Sequence, residues 1–157
     1  MRLYHGSNQV VKQPRILEPN RRMDFGRGFY TTESEEQASE WAIKIRDRRD
    51  TGDAIVSIYD YDDSVELKIL KFNGPTLEWF DFVHSNRTEK LDHDYDVIIG
   101  PIADDGVIQT LFRYDDGLIT KEQAIEELKS ARFDGQVLFH TDKSLERLTY
   151  VGYEEVK

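Results

Sequence analysis

The stretch Phe25-Gly26-Arg27-Gly28-Phe29-Tyr30-Thr31-Thr32, followed by Ser34-Glu35-Glu36-Gln37, constrains the fold more than any other part of the chain. Its two glycines permit a tight loop in which backbone approaches its neighbours closely, because no Cβ intervenes. The aromatic and β-branched residues after them favour a strand, giving a glycine-punctuated strand over residues 25–32. Ser34 with Gln37 three positions later has the capping-box pattern that opens a helix. Ala38, Trp41, Ala42 and Ile45 follow at helical spacing and carry that helix to about residue 48.

The same reading extends along the chain. Residues 2–5 form a short aromatic strand that ends at Gly6-Ser7, and residues 8–22, with Pro14 and Pro19, form an irregular loop. Residues 54–61 alternate as a strand, and residues 65–72 continue the β character. Pro75 suits a first helical position, with Leu77, Phe80 and Val83 inward. Residues 96–99 form an apolar strand stopped by Gly100-Pro101, and Asp104-Asp105 suits a helix start. Thr120-Lys121-Glu122-Gln123 is a second capping box, ahead of Ala124, Ile125 and Leu128. Residues 136–140 form a strand, 144–148 a helical turn and 149–156 a last strand. The strand spacing is too irregular for βαβ repeats. The expected class is α+β, with split or packed central sheets and flanking helices, in a single domain over residues 1–157.

Composition bounds what such a domain can do. With 31 acidic against 21 basic residues the net charge is −10, which repels phosphate backbones and disfavours general nucleic-acid binding. An acidic surface suits a basic protein partner instead. There are no cysteines, so neither disulfides nor thiolate-bound zinc operate. The histidines His5, His84, His93 and His140 lack the HExxH arrangement, and no metal site is expected. His84, His93 and His140 read as satisfied structural residues, and Asp60-Tyr61-Asp62-Asp63 as a solvated turn. No apolar run approaches the ~20 residues that span a bilayer. The expected location is the cytoplasm, away from any membrane.

Three short pieces carry candidate chemistry. In Leu3-Tyr4-His5-Gly6-Ser7 an imidazole stands at a strand end beside a glycine whose backbone a ligand can approach. In the second piece, Gly26 and Gly28 precede a strand bearing Tyr30. It is neither a dinucleotide GxGxxG fingerprint nor a P-loop, since the third glycine and the GKS or GKT ending are missing. In the third, Asp134-Gly135-Gln136 places a polar side chain at the entry of an apolar strand. Each alone also reads as ordinary structure: a turn histidine, a core aromatic, an edge amide.

Together and in this order, the pieces resemble the ADP-ribosyltransferase superfamily, on the branch that includes the poly(ADP-ribose) polymerases and diphtheria toxin. That branch is marked by a strand histidine, a tyrosine after a glycine-rich loop and a glutamate at the start of a late strand. Ten residues lie between Tyr30 and Trp41, which is similar to the family spacing of the two rings that sandwich nicotinamide. The segment Asp24-Phe25-Gly26-Arg27-Gly28-Phe29-Tyr30-Thr31-Thr32 also resembles a bacterial group of small transferase-like proteins, often encoded as toxins beside an antitoxin.

The resemblance implies an enzyme that cleaves NAD at the nicotinamide–ribose bond and passes ADP-ribose to a protein or nucleic-acid acceptor. It implies that His5, Gly6, Ser7, Gly28, Tyr30 and Trp41 bind NAD, and that His5, Tyr30 and Gln136 are the catalytic set. Gln136 departs from the family's glutamate. A neutral amide accepts a hydrogen bond but lends no formal charge to a developing oxocarbenium ion. Mono-transfer rather than polymer synthesis is the expectation, with Asp134 as a further acidic candidate. One of Arg15, Arg21, Arg22 or Arg27 would pair the pyrophosphate. The alternatives are a catalytically weak NAD or ADP-ribose binding module, and an interaction domain for a basic partner such as a small antitoxin protein.

Overall fold

Helix starts follow the capping residues. In the computed structural model, which describes residues 1–16, 25–88, 93–102, 105–128 and 135–157, the Ser34 side chain accepts from the Gln37 N–H and opens α1 (Glu35–Arg49). At Thr120 the box is reciprocal: Gln123 N–H donates to Thr120 Oγ1 at 3.1 Å and Thr120 N–H to Gln123 Oε1 at 2.8 Å. It opens α4 (Lys121–Leu128). These bonds satisfy N–H groups that a first turn leaves without helical partners.

The remaining elements, in chain order, are β1 (Arg2–Ser7), β2 (Phe29–Thr31), β3 (Ile55–Tyr61), β4 (Ile69–Lys71), α2 (Leu77–Thr88), β5 (Val97–Pro101), α3 (Asp105–Asp115), β6 (Gly135–Phe139), α5 (Asp142–Leu145) and β7 (Leu148–Glu155). They form two sheets, one in the order β1-β3-β7 and one in the order β2-β6-β5-β4. All pairs are antiparallel except β4 with β5. The α+β reading with split sheets therefore holds. The sheets meet at one seam, where Tyr4 N–H donates to Thr32 O at 2.8 Å and Thr32 N–H to Tyr4 O at 2.9 Å.

Alternation along the strands builds the layers. Leu3 and Tyr59 of the first sheet pack against Phe29, Val97, Val137 and Phe139 of the second. On the outer face of the first sheet, Ala38 and Ala42 of α1 meet Ala54 and Val56. On the outer face of the second, Ile98 and Leu138 meet Trp79, Phe80 and Val83 of α2, with Val107, Leu111, Ala124 and Leu128 of α3 and α4.

The structure corrects several local expectations. Residues 25–28 form a turn, with Gly26 at φ 82°, and only Phe29–Thr31 is strand. Helix α2 starts at Leu77, and the Trp79 N–H donates to Thr76 Oγ1 at 3.2 Å. Thr76 rather than Pro75 sets that start, which leaves Leu77 exposed and turns Trp79 inward. Strand β5 runs through Gly100 and Pro101, which pair with Gln136 and Gly135. Proline is tolerated there because it ends the ladder, beyond the last β4 pair at Ile99. In α1 the buried residues are Ala38 and Ala42, while Trp41 and Ile45 are half-buried.

Small side chains let α1 lie almost on the backbone of β1. A Cβ built on Gly6 would sit 2.2 Å from the Ala38 carbonyl oxygen and 2.8 Å from the Ala42 nitrogen. Gly6→Val should therefore lower unfolding stability by about 1–3 kcal/mol, the scale of overpacking a close contact. Urea denaturation would measure it, and an unchanged midpoint would contradict the close contact.

Candidate functional site at the β1–β2 seam

Among the described residues the seam is paired only at Tyr4 and Thr32, and no strand bond continues beyond them. The hydrogen bond from Tyr61 N–H to Met1 O sets the phase of β1, so odd residues bond to β3 and even residues face the other side. Tyr4 uses its outward groups on Thr32. The next outward groups are the N–H and C=O of Gly6, and regular pairing would bring them to Tyr30. Instead Tyr30 O accepts a hydrogen bond from His5 Nδ1 at 2.7 Å. Among the described residues, no hydrogen bond is made by Gly6 on that side. Gly6 is buried beneath α1, and its outward backbone donor and acceptor are left without a strand partner.

His5 lies on the inner face of β1, half-buried, with its ring stacked on Phe29 at a centroid distance of 4.2 Å. Because Tyr30 O can only accept, Nδ1 carries the proton and Nε2 keeps a lone pair. Burial lowers the pKa from 6.5 to about 4, against the raising effect of the Tyr30 carbonyl, and the positive charge of Arg49 lowers it further. At neutral pH His5 is a fixed, uncharged imidazole: an acceptor through Nε2, not a cation.

Tyr30 points to the opposite face of β2 and packs against the α2–α4 cluster. Its hydroxyl donates to Gly26 O at 2.6 Å and accepts from Phe25 N–H at 3.2 Å, which fixes the ring to the glycine loop. Gln136 shares that face, since Tyr30 pairs with Leu138 and Gln136 lies two positions earlier on β6. It is buried, and its Nε2–H donates to Pro101 O at 3.4 Å, an oxygen that also accepts from Trp79 Nε1–H at 3.1 Å. Thr31 Oγ1 donates to Val137 O and Thr32 Oγ1 to Gly135 O, both at 2.8 Å, clamping β2 to the head of β6.

The backbones of His5, Gly6, Tyr30 and Gln136 thus gather around one seam, but their side chains divide between two faces. Tyr30 and Gln136 face outward together, and His5 faces inward, joined to Tyr30 through its carbonyl. Ser7 is buried on the His5 side. Trp41 is half-buried on α1, and no ring contact joins it to Tyr30. Gly28 is packed on β6, where a Cβ would lie 2.5 Å from Leu138 Cδ1 and 2.6 Å from Phe139 O. Arg15 and Arg27 are exposed. Arg21, Arg22, Asp104 and Asp134 lie outside the described residues.

Two features of the seam are absent from the sequence expectations. Phe29 is the platform for His5, which strand alternation signals by sending Phe29 and Tyr30 to opposite faces. Arg49, in the basic last turn of α1, lies close enough to His5 to affect its charge. A cavity of about 440 Å³ lies at the other end of β6, lined by Ile16, Arg27, His93, His140, Thr141 and Asp142. Neither His5, Tyr30 nor Gln136 borders it. No group of three or more His, Cys, Asp or Glu among the described residues is arranged to hold a metal ion. No helix among them is long and apolar enough to cross a membrane.

A family model described as "Protein of unknown function (DUF3990)" matches residues 1–150. No curated protein matches the chain, and neither does any solved structure.

The lowered pKa of His5 has a signed consequence. Between about 4 and 6.5 the unfolded chain binds a proton at His5 that the folded chain does not, so stability falls as pH drops through this window. The full effect is at most about 3 kcal/mol. His5→Leu should remove that component. Urea denaturation of both proteins at pH 7 and pH 5 would measure it, and parallel losses in the two proteins would argue against a neutral, buried His5.

Proposed function

We propose that this chain, which belongs to the DUF3990 family, is an NAD-dependent mono-ADP-ribosyltransferase whose nicotinamide site is the opening between Gly6 and Tyr30. The observation that carries this reading is that pairing of β1 with β2 stops at the Tyr4–Thr32 bridge, which leaves the outward N–H and C=O of Gly6 without a strand partner beside Tyr30. A carboxamide has one acceptor and one donor at matching separation, so it complements such a backbone pair.

Each neighbouring group then has a task. The Tyr30 ring, immobilised through its hydroxyl, offers a stacking face for nicotinamide worth about 0.5–1.5 kcal/mol beyond area burial. Neutral His5 accepts a hydrogen bond from a ribose hydroxyl through Nε2. The C–N bond to ribose breaks, and nicotinamide leaves with the electron pair. The acceptor nucleophile then bonds to the same carbon and gives up its proton. Positive charge develops on the sugar, as in glycoside hydrolysis. Gln136 orients a hydroxyl by hydrogen bonding but adds no charge, which favours slow, single transfer over polymer growth.

Gln136 also supports a second reading, a binding module for NAD or ADP-ribose. NAD labelled in the nicotinamide ring separates the two. The transferase reading expects labelled nicotinamide to be released. Tyr30→Ala should slow that release at least about tenfold, a loss of about 1.4 kcal/mol of transition-state stabilisation, and Gln136→Glu should quicken it by a similar factor. Saturable NAD binding without release would leave the module. Neither binding nor release would remove both readings.

A further inference from the structure

The stripe of α1 that lies on β1 starts small and ends charged. Ala38, Ala42 and Arg49 fall on one side of the helix, because residues four and eleven positions apart return to nearly the same face at 3.6 residues per turn. The two alanines pass over Gly6. Arg49 then projects past the end of β1, where its Nη1 donates to Asn8 Oδ1 at 3.0 Å.

Asn8 is itself well held. Its Nδ2 donates to Thr51 O at 3.1 Å, and its own carbonyl accepts from Asp53 N–H at 3.2 Å. The chain returns to it through Asp50 in the left-handed region at φ 50° and Gly52 at φ 77°. At Gly52 a Cβ would lie 2.4 Å from Asn8 O, so only glycine fits that close approach. The guanidinium is thereby organised by a neutral amide directly after the His5-Gly6-Ser7 segment.

Its charge is not matched by a carboxylate. Arg2 pairs with Asp60, Arg46 with Asp47, Arg113 with Glu127 and Arg147 with Asp62 and Glu146. Among the described residues, no ion pair of this kind reaches Arg49. In a chain with ten more acidic than basic residues (31 − 21), an oriented guanidinium left without an acid is a ready partner for a phosphate. Guanidinium N–H groups match phosphate oxygens in a bidentate fork. Asn8 directly follows β1, so Arg49 stands at the end of the strand that carries His5 and Gly6.

We propose that Arg49, oriented by Asn8, is the phosphate-recognising residue of the His5 site and binds the pyrophosphate of its dinucleotide. The dinucleotide rests on the function proposed above; the preference for phosphate rests on the geometry alone. A cation at a helix C-terminus also stabilises the helix, so the test must read ligand chemistry as well as stability.

Calorimetric titration of the full chain with sodium pyrophosphate, ADP-ribose and nicotinamide, each separately, makes the distinction. Arg49→Gln should weaken pyrophosphate and ADP-ribose at least about tenfold, while nicotinamide stays within about twofold. Arg49→Lys should fall between, since it keeps the charge and loses the fork. Arg48→Gln, an exposed neighbour, should leave all three ligands unchanged, and circular dichroism would verify that each variant is folded. Pyrophosphate that fails to bind the parent chain, or that Arg49→Gln and Arg48→Gln weaken equally, overturns the assignment. Arg49-dependent pyrophosphate binding without NAD cleavage or nicotinamide binding would uphold it while removing the transferase reading. NAD cleavage indifferent to Arg49 would do the reverse.

Discussion

Two hydrogen bonds between Tyr4 and Thr32 join the sheets along their shared edge, and the arrangement of the site depends on their being the last in that ladder. Had β1 and β2 continued to pair, the outward groups of Gly6 would be spent on Tyr30. Instead the Tyr30 carbonyl accepts from the His5 ring. A side-chain donor here competes with a backbone ladder, and the outward main-chain groups of Gly6 are left without a strand partner.

Rigidity around that opening comes from several directions. Thr31 and Thr32 tie β2 to β6, the Tyr30 hydroxyl ties its own ring to the glycine loop, and Phe29 supports the imidazole. Alanine and glycine contacts draw α1 onto β1. The free β7 edge is treated differently: its register with β3 shifts between Ile58 and Tyr59, and it ends in Glu154 and Glu155. A bulge and terminal charge discourage further strand pairing there.

Much of the architecture was legible from residue type. Ser34 and Thr120 marked helix starts because a hydroxyl there satisfies N–H groups that no helical carbonyl can reach. Alternation marked β3, and the apolar runs marked β5 and β6. Thr76 caps α2, and Pro75 only precedes the helix. The strand expected over 25–32 begins only at Phe29, because Gly26 takes a positive φ that a strand does not supply. Of the site, His5, Gly6, Tyr30 and Gln136 were each visible as unusual residues beside glycine or at a strand entry. Their division between faces was not, since it depends on the register of β1 with β3 and of β2 with β6.

The amino-acid sequence by itself determined the α+β class, the capped helices and the alternating faces, all consequences of local geometry and burial of apolar side chains. Only the tertiary structure decided where β1 and β2 part, why His5 is uncharged at neutral pH, and that Arg49 ends beside Asn8. Those outcomes arise from contacts between residues 25 to 41 positions apart, such as Tyr30 with His5 and Arg49 with Asn8. Their energies depend on desolvation and register, which no local pattern encodes.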